Sequence, residues 1–522
     1  MKRLAVAVAA SVLAFARVAS ATGFTDVGQD IHPYDKLDLR LDGYLRLRGE
    51  ALYDLDLNRG LTPSGSPLFP VSLSDPSKKT LTYGDTRLRT DTTITAPGGS
   101  MDVKARIDLL DNVPLGGSAD GVPLSSTRYQ QDSRALRIKR VYGEVLTPIG
   151  LLAAGRMGQQ WGLGMVANGG DCDDCDSGDA ADRVAFIVPT LGHIFAVAYD
   201  FSATLATTAR PDGSRFIDFE PAADVRTATF AFLRYKDERT LARRRAAGRT
   251  TLEYGATISH RWQGSDIPAT YLTSPGAPPP ITAASVTTRG YQATVFDVWG
   301  RLTTRLVHVE VEAAYVGGTI EQASLVPGAL YRDPVTSRQF GAALESEVAA
   351  PRGSVGAGLD LGYASGDDSP GFGAFPGAQI ARPGDLDGSK LNPPFHTHVD
   401  NFRFNTDYRI DRILFREIIG TVTGAAYARP HARWTMARLG RGGVEAQVAA
   451  VGSTAVFAAS TPGGKRPLGI EIDPTLGYGN GDGFSIALEY GVLFPLAGLD
   501  NVDQRLAAKP AQLARVRLLY RF

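Results

Sequence analysis

The sequence predicts an all-β protein: a closed antiparallel, up-and-down transmembrane β-barrel of about 18 strands, with 16 as the alternative count. Three observations predict it. Long segments alternate apolar and polar residues with period two, short turns alternate with long loops, and the final residues place apolar side chains at every second position before a terminal Phe522. Hydrophobic content of 43% is too high for general disorder. Past residue 21, no apolar run is long enough for a helical span.

The first element reads as an export signal. Lys2 and Arg3 precede an apolar run from Leu4 to Ala16, and Ala19-Ser20-Ala21 offers small residues for cleavage before Thr22. An anchoring helix would need about 20 apolar residues. Residues 1–21 are therefore expected to be removed, 22–42 to form a periplasmic N-terminal segment, and 43–522 to form the barrel. Losing Lys2, Arg3 and Arg17 takes the 55 basic residues to 52 against 55 acidic ones, a net charge of −3. No basic surplus remains for electrostatic nucleic-acid binding, so no nucleic-acid partner is expected. Two cysteines exclude a disulfide-dense scaffold.

Alternation defines the strands. From Leu37 to Leu57 the odd positions are almost all apolar or glycine and the even ones mostly charged, over a length that exceeds a typical globular strand. The pattern recurs in Met101–Leu109, Val307–Tyr315, Leu468–Asp473 and Phe484–Phe494. Strands are expected near 43–57, 82–96, 101–112, 134–147, 150–158, 183–189, 193–203, 225–236, 249–262 and 289–300. Eight more follow, near 303–317, 338–350, 353–366, 420–439, 443–457, 468–479, 483–495 and 511–522. The long connections, 58–81, 113–133, 159–182, 204–224, 263–288, 318–337, 367–419, 458–467 and 496–510, are expected outside the cell. The short ones are expected in the periplasm. The connection at 237–248 breaks this rhythm, and it carries five closely spaced arginines from Arg239 to Arg249. Closure follows from physics, because each unpaired amide facing hydrocarbon costs several kcal/mol. Tyr199, Phe201, Tyr235, Trp262, Trp299, Tyr315, Tyr363, Trp434, Tyr478 and Tyr520, near strand ends, suit interfacial girdles. A barrel of this width is expected to have no single apolar core.

The last strand carries the most specific signal. Val516, Leu518, Tyr520 and Phe522 share one face, and Arg515, Arg517 and Arg521 share the other. This resembles the C-terminal signal of bacterial outer-membrane proteins. The resemblance implies the outer membrane of a Gram-negative bacterium, with outer-membrane lipid and lipopolysaccharide around the barrel, and edge pairing with the barrel-assembly machinery during insertion.

If apolar positions face lipid, charged ones face the lumen. A basic arc is expected from Arg46, Arg48, Arg87, Arg89, Lys104, Arg106, Arg137, Lys139, Arg515 and Arg517. An acidic arc is expected from Glu253, Glu310, Glu312, Glu345, Glu347, Asp360, Glu471, Asp473 and Glu489. The two arcs would set a transverse field across a watery pore; local salt bridges that seal the lumen are the alternative.

Two loops hold metal-like groupings. Asp171, Asp173, Asp174, Asp176 and Asp179 surround Cys172 and Cys175, and with Asp182 make six carboxylates in twelve residues. Like charges that dense repel unless a cation or solvent screens them, and hard oxygen ligands suit calcium. The cysteines are expected to form a small disulfide ring after export. A single Cys-x-x-Cys is weak as a zinc signal. In the longest loop, Asp385-Leu386-Asp387-Gly388-Ser389 precedes His396-Thr397-His398 and Asp400, where the histidine pair could ligate a metal if the loop folds. That loop is otherwise read as external or turned into the lumen as a constriction, with 370–395 as the stretch whose removal should widen the pore. No cofactor is expected beyond a calcium ion at the acidic loop.

No GxSxG elbow, P-loop or HExxH occurs, so no enzyme is expected; His308 is the best isolated catalytic candidate. The run Ile138–Gly150, then Gly155-Arg156-Met157 and Trp161-Gly162-Leu163-Gly164-Met165, resembles an outer-membrane barrel family of myxobacterial type. The Cys-Asp-Asp-Cys loop and Leu414–Thr423 carry the same resemblance. More loosely, the layout resembles the alginate-export type of eighteen-stranded porin, which implies a basic conduit for polyanions. The acidic arc departs from that lining. The expectation is a channel for passive diffusion of small hydrophilic solutes, and the alternative is a non-conducting barrel with a structural or adhesive role.

Overall fold

Period-two patterning builds the wall. The computed structural model describes residues 24, 27–28, 36–116, 136–205, 207–209, 215–267, 283–324, 328–350, 354–375 and 379–522. The export segment at 1–21 lies outside the described residues. The first seven strands are β1 (Asp38–Tyr53), β2 (Thr80–Thr95), β3 (Met101–Pro114), β4 (Arg137–Thr147), β5 (Gly150–Gly158), β6 (Ala180–Thr190) and β7 (His193–Ala203). A small hairpin, β8 (Thr207–Ala209) and β9 (Phe216–Asp218), stands apart from the wall. The wall resumes with β10 (Val225–Arg234), β11 (Thr251–Asp266), β12 (Thr287–Thr303), β13 (Val307–Ile320), β14 (Val335–Ala349) and β15 (Val355–Ala364). It ends with β16 (Ala425–Leu439), β17 (Gly442–Ala455), β18 (Pro467–Gly479), β19 (Phe484–Pro495) and β20 (Ala511–Arg521).

All eighteen wall strands pair antiparallel with their neighbours, β7 with β10 and β20 with β1, so the sheet is closed. Closure removes every edge, which is what allows a sheet to sit in hydrocarbon. The terminal residue takes part: Gly43 and Phe522 exchange two backbone hydrogen bonds of 3.1 Å. Val516 and Tyr520 of the final strand are exposed on the outer face. So are Val197, Phe230, Ile258, Phe296, Val311, Tyr315, Phe340, Leu361 and Leu488. A continuous apolar outer surface of this kind belongs against lipid. The protein is a membrane-spanning β-barrel.

Some boundaries differ from the sequence expectation. The first strand begins at Asp38 and stops at Tyr53, because Asp54, Leu57 and Asn58 adopt positive φ and turn the chain. The connection at 237–248 is a helix, α1 (Glu238–Ala246), capped by Asp237 Oδ1, which accepts from Thr240 N at 2.8 Å. Trp299 is not a girdle residue. It faces inward, 8% exposed, and its indole donates to Glu310 at 2.7 Å.

The interior also differs: it contains an apolar core. Residues 402–424, between β15 and β16, fold into the barrel, where Phe402, Phe404, Tyr408, Ile410, Ile413, Leu414, Phe415, Ile418 and Ile419 are buried. They pack on the wall residues Ala343, Ala364, Tyr427, Val451, Leu493 and Leu513. Two glycines make room for rings. A Cβ on Gly341 would lie 2.3 Å from the Phe402 ring, and one on Gly362 would lie 2.1 Å from that of Tyr427. At the other end, Phe24 packs with Leu151, Ala153, Met157 and Ala185, under the Arg183 guanidinium at 5.2 Å.

Candidate functional site: a charged lumen holding two infolded segments

The strand alternation that puts Leu and Val on lipid turns the intervening charged residues inward, where Arg46, Arg48, Arg87, Arg89 and Arg515 are almost fully buried. Facing them is the acidic cysteine loop, folded into the barrel. Cys172 and Cys175 are joined as a disulfide, with Cα atoms 5.1 Å apart. Asp174 is met by Arg416, by Arg48 at 3.2 Å, by Arg515 and Arg517 at 3.4 Å each, and by Arg409 at 3.6 Å. Asp176 receives Arg409 at 2.6 Å, Arg48 at 2.8 Å and Arg46 at 3.2 Å. Asp171 pairs with Arg106 and Arg140, and Asp173 with Arg521. Backbone carbonyls complete the latch: Cys175 O accepts from Arg87 at 2.7 Å and Arg46 at 3.0 Å, and Gly170 O from Arg89 at 2.7 Å.

Burial alone would push these carboxyls up. For Asp174 the guanidiniums of Arg416, Arg515, Arg517 and Arg409 outweigh it and hold the group well below the ordinary carboxylate range. Asp176 is lowered in the same way by Arg409, Arg48, Arg416 and Arg46. This corrects the calcium expectation. The charges of Asp171, Asp173, Asp174 and Asp176 are met by arginines, and Asp179 accepts from Asn168 N at 3.0 Å and Asn405 Nδ2 at 2.7 Å. Among the described residues, the grouping able to hold a metal lies elsewhere.

The acidic side grips backbone. Glu471 accepts from the amides of Arg412 and Ile413 at 2.8 Å and Leu414 at 3.0 Å, fixing the start of the π-helical turn Leu414–Ile418. Glu312 accepts from Met165 N at 3.4 Å and Val166 N at 3.3 Å, holding the cysteine-bearing segment. Asp407 links the two segments, accepting from Asp176 N at 2.9 Å and Ser177 N at 3.1 Å. Glu489 pairs with Arg412 at 3.0 Å and Arg517 at 3.2 Å, and Asp473 lies 4.0 Å from Arg412.

The remaining expected lining residues form local pairs. Glu253 takes Arg301 through two bonds of 2.7 and 3.0 Å, Glu347 takes Arg433 at 2.6 and 2.9 Å, and Asp360 takes Arg429 at 2.6 Å. Lys104 meets Glu144 at 2.7 Å and Lys139 meets Asp111 at 2.8 Å. His308 lies 3.4 Å from Glu310. Glu345 is half-buried on β14, and Arg137 is exposed at the start of β4. The picture of two opposed charged walls across open water is thereby revised: much of each arc is matched to an infolded segment or to a neighbour on the wall.

Sequence reasoning missed Arg140, Arg409, Arg412, Arg416 and Asp407. Arg140 escaped because the β3–β4 pairing shifts register between Arg106 and Ile107. The others sit in a stretch read as mainly external. The available signal was its content of Ile410, Ile413, Leu414, Phe415, Ile418 and Ile419, too apolar for a loop in water.

No protein-family model and no curated protein matches the chain. Among solved structures, it is similar to a BenF-like porin from Pseudomonas fluorescens Pf-5 at 9% identity, covering 94% of this chain and 100% of that one with a TM-score of 0.45. It is similar to the outer-membrane protein OpdK of Pseudomonas aeruginosa at 10% identity, with 93% and 98% coverage and a TM-score of 0.43. OccK11 (OpdR) of the same organism is 11% identical, with 92% and 96% coverage and a TM-score of 0.44.

Proposed function

We propose that the protein is a channel for passive diffusion of small hydrophilic solutes, narrowed by its two infolded segments. The observation that carries this reading is the contact of lumen-facing charges with solvent: the side chains of Lys139, Arg433 and Glu347 remain 22%, 19% and 24% exposed. Charged side chains that keep solvent contact on the inner face give water access to the lumen at those positions. Barrels of this strand number are too wide for side chains alone to fill. Selection would rest on diameter and lining charge with no chemical step. Of the predicted arcs, Lys139, Glu345 and Glu347, which keep solvent contact, would line the path together with Arg433. The network on Asp174 and Asp176 favours a second reading, a barrel closed at rest whose role is structural or adhesive. It also counts against a polyanion conduit of the alginate-export type, because the arginines already have counter-charges. The likeness to the myxobacterial family adds no residue role to this reading.

Liposome swelling with graded sugars, alongside planar-bilayer conductance, tests the proposal. A size cutoff and discrete conductance steps are expected. Neither swelling nor steps from purified, folded protein would overturn the channel and leave the closed barrel.

A further inference from the structure

The residues between β15 and the infolded segment bring two carboxylates and two imidazoles together, and no ion pair of the luminal latch includes them. Asp367 and Asp368 follow β15, and His396 and His398 lie on the return of the same long connection. One ligand atom from each lies within 4.8 Å of all the others. His396 Nε2 is 3.3 Å from Asp367 Oδ1 and 3.6 Å from Asp368 Oδ1, and His398 Nε2 is 3.6 Å from the same Asp368 oxygen. Four ligands about 2.0–2.1 Å from a tetrahedral zinc ion lie about 3.3–3.4 Å apart, so little adjustment would be required.

Three further features point to a ligand. Both ring nitrogens of His396 are shielded from solvent and make no well-directed hydrogen bond, Nε2 facing only the carboxylate oxygens of Asp367 and Asp368, an arrangement that a bound cation between them would satisfy. Asp367 is oriented in advance: Oδ1 accepts from Ser369 N at 3.0 Å and Ser369 Oγ at 2.7 Å, and Oδ2 accepts from Asp400 N at 3.1 Å. The histidines sit on backbone tied to β14, with Thr336 N donating to Thr397 O at 2.9 Å and Val399 N to Thr336 O at 3.0 Å. Two residues apart on extended backbone, the rings share a side, with centroids 4.0 Å apart.

We propose that Asp367, Asp368, His396 and His398 form a binding site for a divalent transition metal of the zinc class. Two neutral imidazoles and two carboxylates carry a charge of −2, which a divalent ion cancels. Lys390 stands behind the site with its ammonium on Ser369 O at 2.6 Å and Ser460 Oγ at 3.3 Å, directed at oxygens other than the four ligands. Imidazole nitrogens select against calcium and magnesium. The carboxylates expected to accompany the histidine pair are engaged elsewhere. Asp385 accepts from Ser64 and Arg382, Asp387 from Ala374 and Phe375, and Asp400 from Arg338. Bound metal would staple the long connection to itself beside β15.

The experiment is titration of the untagged, folded barrel in detergent with Co2+, followed by displacement with Zn2+. One equivalent of Co2+ with intense visible absorption of tetrahedral type is expected, abolished by stoichiometric Zn2+. The double variant His396→Ala/His398→Ala should weaken zinc binding by more than ~100-fold, and Ser369→Ala by ~10-fold through loss of ligand orientation. Heat-modifiable gel mobility establishes that each variant is folded. If the double variant does not fold, Asp368→Asn at an exposed position replaces it, with the same loss expected. No saturable binding to the wild type would show an ion-pair cluster only and overturn the proposal. Zinc binding undiminished in the variants, or calcium bound more tightly than zinc, would overturn it as well.

Discussion

Neutralising Asp174 tests the luminal latch most directly. Its carboxylate is the meeting point of Arg48, Arg409, Arg416, Arg515 and Arg517, with the side chain 20% exposed. Asp174→Asn keeps the shape and removes the charge, leaving five guanidiniums crowded without their shared counter-ion. Removing one partner of a buried ion pair costs about 3–5 kcal/mol, and the residual solvent contact, with the second carboxylates that these arginines keep (Asp176 for Arg48 and Arg409, Glu50 for Arg515, Glu489 for Arg517), sets the lower end as the ceiling. About 3 kcal/mol corresponds to a shift of ~150-fold in the balance between latched and released segment. In planar bilayers, the variant should spend far more time in a high-conductance state than the wild type, or show larger unitary steps. Asp482→Asn, which removes the exposed partner of Arg441 at a short turn, serves as the control and should change nothing. Unaltered conductance and open fraction in Asp174→Asn, with folding intact, would refute the claim that these ion pairs hold the segment in the lumen.

Three other outcomes follow from the same geometry. Replacing Cys172 and Cys175 by serine removes a cross-link between residues three apart, worth about 2 kcal/mol by the chain-entropy account. Current noise should rise, and reductant should reproduce the effect in the wild type. The carboxyls of Asp174 and Asp176 are lowered from an ordinary value of 3.8, so their contribution is complete above that value and is lost only as pH falls through the lowered one. The conductance difference between wild type and Asp174→Asn should therefore persist from pH 8 to about pH 5 and vanish only in stronger acid, whereas Asp411 of the infolded segment, raised to about 7 by burial, changes charge within that window in both proteins; a difference that vanishes on mild acidification would contradict this. Phe402→Ala should cost about 3–5 kcal/mol of local stability, because the ring is 2% exposed and seated over Gly341. Hydrogen exchange should accelerate across 402–424 and leave the wall strands unchanged.

Legibility divides along a physical line. Strand positions could be read because lipid and lumen impose opposite solvents on successive side chains, so the wall writes itself into the sequence with period two. Even the two least regular segments, at 183–189 and 420–439, fall on β6 and β16. The infolded segments carry no such period. Their backbone polar groups are satisfied by particular distant side chains, Glu312 and Glu471 on the wall and Asp407 on the partner segment. Nothing in the local pattern of 402–424 names those partners. The acidic cysteine loop was visible as a charge problem, but its solution was misread, since a cluster of carboxylates does not specify whether cations or arginines balance it.

The sequence by itself determined a closed antiparallel wall, its strand count to within two, and most of the residues that look outward, because each strand answers to the solvents on its two faces. Tertiary structure alone decided what fills the barrel. There Asp174 meets arginines from β1, β20 and the segment at 409–416, contacts separated by more than a hundred residues along the chain and joined only once the sheet has closed. Those contacts depend on distance and burial in three dimensions, which period-two patterning does not encode.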